Sequence, residues 1–219
     1  MIEGRGNHMI TESIQTNPLK WDRFLSHGKR IFLKKDSTIY NQGDRVDGVY
    51  WVEKGLVQIK SSSNQGNVKS INMIGSENFF GEFALINAPA ITTAITLEDT
   101  VVYYFTVEDI KSLFRDFDES IMIILNSLLH KMAKMTETSF LETAEQQIAY
   151  TLLELSEHYH DHRIAIKQKE LSEHTGLTRM TLNKVLKKWN HSGIIETENK
   201  VITIKNKRAL DGYSKMNAI

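Results

Sequence analysis

Between Glu119 and Thr143 the chain contains neither Gly nor Pro, and in that run Ile121, Leu125, Leu128, Met132 and Met135 step by four, three, four and three. That spacing is the seam of a coiled coil, where each apolar side chain seats among residues of a facing helix. It predicts one long helix whose seam meets a second copy of the chain. Ile124, Leu129 and Phe140 widen the apolar face, so one flank is expected to pack on the chain's own β-rich part. The alternative is a long amphipathic helix packed wholly within one chain, which needs an equally long surface to cover it.

On the N-terminal side of this helix the pattern changes to short strands. Lys29–Leu33, Gly48–Val52, Leu56–Lys60, Val68–Met73, Thr92–Leu97 and Val101–Phe105 are rich in β-branched and aromatic residues. Turn clusters separate them, at 41–44, 53–55, 62–67 and 75–76. Strands at such even spacing favour a sandwich or small barrel. Thr106, with Asp109 three residues on, reads as the cap of a short helix reaching about Phe114.

Beyond Glu145 the chain turns helical again. Ile148, Leu152 and Leu155 mark one helix, a polar connector follows, and then comes SEHTGLTRMTLNKVLKKW, residues 172–189. Counted from Gln168, Leu171 is apolar, Ser172 is small where two helices would cross, and Gly176 is the ninth residue. Gly there supplies the left-handed backbone of a tight turn. Thr178 is a suitable N-cap for a second helix, with Leu177, Leu182 and Val185 facing the core. Arg179, Met180 and Thr181 then stand at its exposed start. In a helix-turn-helix those positions reach base edges, and Lys184, Lys187, Lys188 and Lys169 lie where bases or phosphates are met. Ile194–Glu196 and Val201–Ile204 read as a hairpin, the wing of a winged helix. A purely structural helical hairpin is the rival reading, and the basic second helix argues against it.

Charge agrees with a nucleic-acid partner only weakly. The whole chain carries 27 Lys/Arg and 27 Asp/Glu, whereas from Glu145 onward there are 12 against 9. The absence of Cys excludes disulfides, thiol redox sensing and a Cys-held iron–sulfur cluster. The longest aliphatic run, Ile121–Leu125, is too short to span a bilayer, so the expectation is a cytoplasmic protein with no membrane partner. Residues 1–9 read as the remnant of an expression tag.

These pieces in this order resemble the cyclic-AMP receptor protein / fumarate-nitrate regulator (CRP/FNR) superfamily of bacterial transcription regulators. The resemblance rests on Gly43-Asp44, Val52-Glu53-Lys54-Gly55 and Gly81-Glu82-Phe83-Ala84-Leu85 in the barrel. It rests equally on Leu177–Thr181, Ser192–Ile195 and Val201–Ile204 in the winged helix. It implies an α+β protein in three parts. An antiparallel jelly-roll sensor barrel of the cyclic-nucleotide-binding kind occupies 10–117, a dimerisation helix 118–144, and a winged-helix DNA-binding domain 145–219. The implied partners are a double-stranded DNA operator and a second copy of the chain. RNA polymerase and a small-molecule effector are further partners the family admits.

Departures from the family shape the expected mechanism. Cyclic-AMP-binding members place Arg-Ser where this chain has Thr92-Thr93, and no basic residue occurs from Gly81 to Thr100. A buried phosphate without a cation is strongly disfavoured, so cyclic AMP is not the expected effector. If an effector binds, Gly81, Glu82, Phe83, Thr92, Thr93, Thr136 and Thr138 are the expected lining. Glu82 has a plainer reading as a turn carboxylate capping backbone N–H groups. Met180 stands where the family usually has a base-reading Glu, which predicts a different operator.

No Walker loop, nucleophile elbow or paired-carboxylate arrangement is present, and no enzyme activity is expected. His158, His160 and His162 form the chain's one His cluster, read as a solvated connector; no metal and no cofactor is expected. Two alternatives remain: an interaction module whose barrel binds a ligand and whose winged helix binds protein, and a DNA-binding regulator whose barrel is an effector-free scaffold.

Overall fold

The computed structural model describes residues 21–63, 65, 68–159 and 163–214. The expected tag remnant, three residues of the 62–67 turn, and His160 and His162 lie outside the described residues. By their contacts the residues form two compact units, one up to Met132 and one from Ala133 onward. The division falls inside the long helix, not at either of the expected boundaries, 118 and 145.

The first unit is built on eight strands. They are β1 (Lys29–Leu33), β2 (Thr38–Tyr40), β3 (Gly48–Lys54), β4 (Val57–Ser62), β5 (Val68–Ile74), β6 (Phe79–Phe80), β7 (Thr93–Thr96) and β8 (Thr100–Thr106). They pair antiparallel in two four-stranded sheets, ordered β1-β8-β3-β6 and β2-β7-β4-β5. Each sheet takes strands from both halves of the segment, which is a jelly roll. Successive side chains of a strand point to opposite faces, and β3 is buried on both. Tyr50 and Val52 turn inward to Val57, Phe80 and Val102. Val49 and Trp51 turn outward to Trp21, Phe24, Phe105, Ile110 and Leu113. This explains why GVYWV reads as an unbroken apolar run and not as an alternation.

The expected capping box is present. Thr106 Oγ1 accepts from Asp109 N at 3.1 Å, and Asp109 Oδ2 accepts from Thr106 N at 2.8 Å, opening α1 (Val107–Asp116). Helix α2 then runs Asp118–Ser139. Ile124 is buried in the outer core as expected, whereas Leu129 and Phe140 are exposed. The helix stops short of the expected Thr143 for a local reason. The Thr138 and Ser139 hydroxyls donate back to the carbonyls of Lys134 (3.0 Å) and Thr136 (2.6 Å), offering the backbone an alternative to further helix. Thr143 is committed elsewhere, as the N-cap of α3 (Ala144–His158) in a box with Gln146.

The second unit packs α3 against α4 (Gln168–Thr175), α5 (Arg179–His191) and α6 (Lys207–Ser214). Ile148, Leu152, Leu155, Leu171, Leu182 and Trp189 form its buried centre. A three-stranded antiparallel sheet ordered β10-β11-β9 completes it, from β9 (Arg163–Ala165), β10 (Ile195–Glu198) and β11 (Val201–Ile204). Strand β10 extends to Glu198, so the expected four-residue link is a two-residue turn, Asn199-Lys200. Both residues have positive φ, 49° and 68°, as a type I′ hairpin turn requires.

Candidate nucleic-acid interface

Gly176 sits at φ 70°, ψ 7°, the left-handed conformation that ends α4 and swings the chain into α5. The turn is tied from below. Ser172 Oγ donates to the Leu177 carbonyl at 2.6 Å, so the small residue at the helix crossing also fastens the turn. Thr175, which replaces the apolar residue usual before the Gly, returns its hydroxyl to the Leu171 carbonyl at 2.9 Å. Its polar group is satisfied within its own helix. Leu177 is half-buried, while Leu182 and Val185 are buried as expected.

Thr178 caps α5. Its Oγ1 accepts from Thr181 N at 3.2 Å and lies 3.0 Å from the Thr181 hydroxyl. The helix that follows, RMTLNKVLKKWNH, contains no carboxylate. The N-terminus of a helix already carries partial positive charge, and acidic residues usually occupy its first turn. Arg179 and Met180 stand there instead. The result is a helix whose charged residues are all basic.

At about 100° per residue, the buried side chains Leu182, Val185, Leu186 and Trp189 define the inward direction. Met180, Lys184, Lys187 and His191 fall within about 30° of the opposite direction. Arg179 is turned about 110° from that outward line and Lys188 about 70°. Arg179 has the helix end beside it, so its length gives it reach past the first turn. Lys188 is already engaged: its ammonium meets Glu145 at 2.7 Å and lies 5.8 Å from the Tyr213 ring centre. Lys169, on α4, faces Glu173 at 3.7 Å, a largely exposed pair that holds it loosely. The wing is joined to the helix through Asn190, whose Oδ1 accepts from Thr197 N at 2.9 Å.

Beneath this surface lies a polar cluster that sequence reasoning missed. His174, on the inner side of α4, is almost wholly buried, and its Nε2 stands 4.0 Å from Glu154 of α3. Lys134 donates to the same carboxylate. Burial pushes the His174 imidazole down to about 4; Glu154 opposes that shift and Lys134 adds to it. The available signal was spacing: His174 stands three residues after Leu171, the one apolar residue of α4, and so shares its inward face.

In the barrel, Gly81 has φ 85° and opens a short 3-10 turn, Glu82–Ile86. Glu82 departs from the expected capping of backbone N–H groups. Its carboxylate is met by the ammonium of Lys131 from α2, which also donates to the Phe79 carbonyl at 2.5 Å. With no cation between Gly81 and Thr100, a half-buried Glu82 needs one from another element, and that requirement was the signal for Lys131. Phe83 is exposed. Thr93 Oγ1 accepts from Gln42 N at 2.9 Å, and Thr92 hydrogen-bonds the Tyr40 hydroxyl, whose pKa burial pushes well above its usual value. Tyr50 stacks on Phe80 at 4.9 Å, and burial raises its hydroxyl to about 12. Thr136 and Thr138 lie on the part of α2 that belongs to the second unit. Among the described residues no group of three or more His, Asp or Glu is placed to hold a metal ion.

A jelly-roll barrel followed by a long helix and a winged helix-turn-helix defines a class: transcription regulators that join a sensor-type barrel to a DNA-reading head. The family model for the cyclic nucleotide-binding domain matches residues 30–117, and that for the Crp-like helix-turn-helix domain matches residues 146–213. The chain belongs to the CRP/FNR superfamily and is a DNA-binding transcriptional regulator of that kind. It is 24% identical over 208 residues to the cAMP-activated global transcriptional regulator CRP of Haemophilus influenzae, covering 88% of this chain and 91% of that protein. The cyclic AMP receptor protein of Thermus thermophilus is 25% identical, over 81% of this chain and 84% of its own. Among solved structures, FixK2 from Bradyrhizobium japonicum has the same fold at a TM-score of 0.77 and 18% identity, covering 87% of this chain and 99% of that one. No helix among the described residues is long and apolar enough to cross a membrane.

Proposed function

We propose that the protein acts as a homodimer on a two-fold-symmetric operator and that its effector, where it has one, is not cyclic AMP. The carrying observation is the apolar seam on α2. Ile121, Leu125, Leu128, Met132 and Met135 are 37–64% exposed in the single chain, in a continuous stripe at coiled-coil spacing. A stripe of large apolar residues left in water marks an association surface, and a facing α2 covers it with like residues. Two recognition helices so paired read half-sites about one turn apart, ~10–10.5 bp centre to centre. Thr178, Arg179, Met180, Thr181, Lys184 and Lys187 supply base and phosphate contacts, with Lys169 and Lys188 at the margins.

The effector reading rests on chemistry. The two sequence relatives named above carry cyclic AMP in their names, but here the Gly81–Thr100 segment offers a phosphate no positive charge. The nearby Lys131 is already spent on Glu82. Calorimetric titration with cyclic AMP is expected to show no micromolar binding. For the DNA reading, a mobility-shift series across salt is expected to give affinity that falls steeply as salt rises. Footprinting should show two protected half-sites. A single asymmetric half-site would contradict the dimer, and salt-indifferent or absent DNA binding would favour the interaction-module alternative.

A further inference from the structure

We infer that Met180 selects a 5-methylpyrimidine, thymine in ordinary DNA, at one position of each half-site. The inference rests on the DNA reading above and specifies what that site recognises. Three observations carry it. Met180 is 81% exposed, more than any other large apolar residue described. It lies within about 10° of the line directly opposite the buried face of α5, so it leads the helix into whatever the helix meets. It is flanked on that line by Lys184 and Lys187 and not by other apolar residues, so the surface is not an ordinary hydrophobic docking patch.

The major groove presents few apolar groups, and the C5-methyl of thymine is the one that a side chain entering the groove can bury. A thioether on an unbranched, polarisable stem has neither donor nor acceptor of useful strength, but it fits irregular apolar surfaces well. It cannot accept from cytosine N4, and it gains nothing from guanine or adenine edges. The lysines on either side neutralise phosphates and hold the helix so that the methionine tip, not its stem, meets the base. Cytosine lacks the methyl and presents an N4 amino group where thymine has O4, whereas uracil differs from thymine only by the methyl.

The test uses the full-length protein. A half-site is first selected from a random duplex pool. Each thymine in it is then replaced singly by deoxyuridine, and each cytosine substituted for that thymine is compared with 5-methyldeoxycytidine. Wild type is expected to lose about 3- to 5-fold affinity at one thymine per half-site on loss of the methyl, the scale of one buried carbon. It should regain affinity when the methyl is restored on cytosine. Met180→Ala, an exposed change to a good helix former, should bind thymine and uracil duplexes alike at that position, while Arg179→Ala keeps the methyl effect. Operator binding with no methyl-sensitive position, or with the same methyl effect in Met180→Ala, would overturn this inference and leave the DNA reading intact. Failure of wild type to retain any duplex would overturn both.

Discussion

Arg179 and Lys188 carry the same charge on the same helix, yet their surroundings lead to different losses on truncation. Arg179 stands beside the Thr178 cap at the start of α5, where its planar fork can bond a guanine through two hydrogens. Arg179→Ala should cost about 1–3 kcal/mol of operator affinity and relax preference at one base pair of each half-site. Lys188 is committed to Glu145 and lies over Tyr213, and Glu145 holds the ammonium charged to higher pH. Its removal should therefore change the salt dependence by less than the roughly one unit expected of a phosphate contact. Lys184→Ala and Lys187→Ala, on the outward line, should show that full decrement. Binding curves for the four variants on operator and scrambled duplex at several salt concentrations separate the cases. The sequence placed all four charges on the recognition helix. It could not show that one of them is held by Glu145, because that partner lies on another helix.

At the scale of elements, the buried contact between α3 and α4 makes the DNA-binding unit sensitive to acid. The unfolded chain protonates His174 near its ordinary value of 6.5, whereas the folded chain does so only near about 4. Stability is therefore complete above pH 6.5, falls as pH drops through that window, and levels off below about 4. The loss attributable to this one group is on the order of 3 kcal/mol. Glu154 and Lys134 both face the imidazole, so a charged His174 would gain one attraction and one repulsion. His174→Leu should remove this acid sensitivity, read as the difference in urea midpoint between about pH 7.5 and about pH 5 for variant and wild type. Legibility followed element length and composition. β1, β3 and β8 were readable because β-branched and aromatic residues mark them, Ile31 and Phe32 in β1 and Val and Tyr in the other two. β2, β6 and β9 have two or three residues each, too few to show a period. Helix α2 was read too long because its end is set by hydroxyls returning to the backbone, and hydroxyl residues also occur within helices.

For the whole molecule, the proposed dimer would make the α2 seam a determinant of both assembly and DNA reading. Replacing Leu128 and Met132 together by Glu would set like charges against each other in a dry interface. Sedimentation should show wild type as a dimer at micromolar concentration and the double variant as a monomer. The monomer should also lose most of its operator affinity, since each half-site would then be bound without help from the other. Wild type sedimenting as a monomer would remove the basis of both statements. The pairing of β1 with β8 has a consequence in time. The first strand of the barrel finds its neighbour in the last, from Lys29 against Tyr104 to Leu33 against Thr100. During synthesis, β1 waits on the ribosome until β8 has emerged, with its edge and its apolar residues unprotected meanwhile. The winged-helix unit has a delay of the same kind, since α3 packs on α6 at the unit's far end and β9 waits for β11.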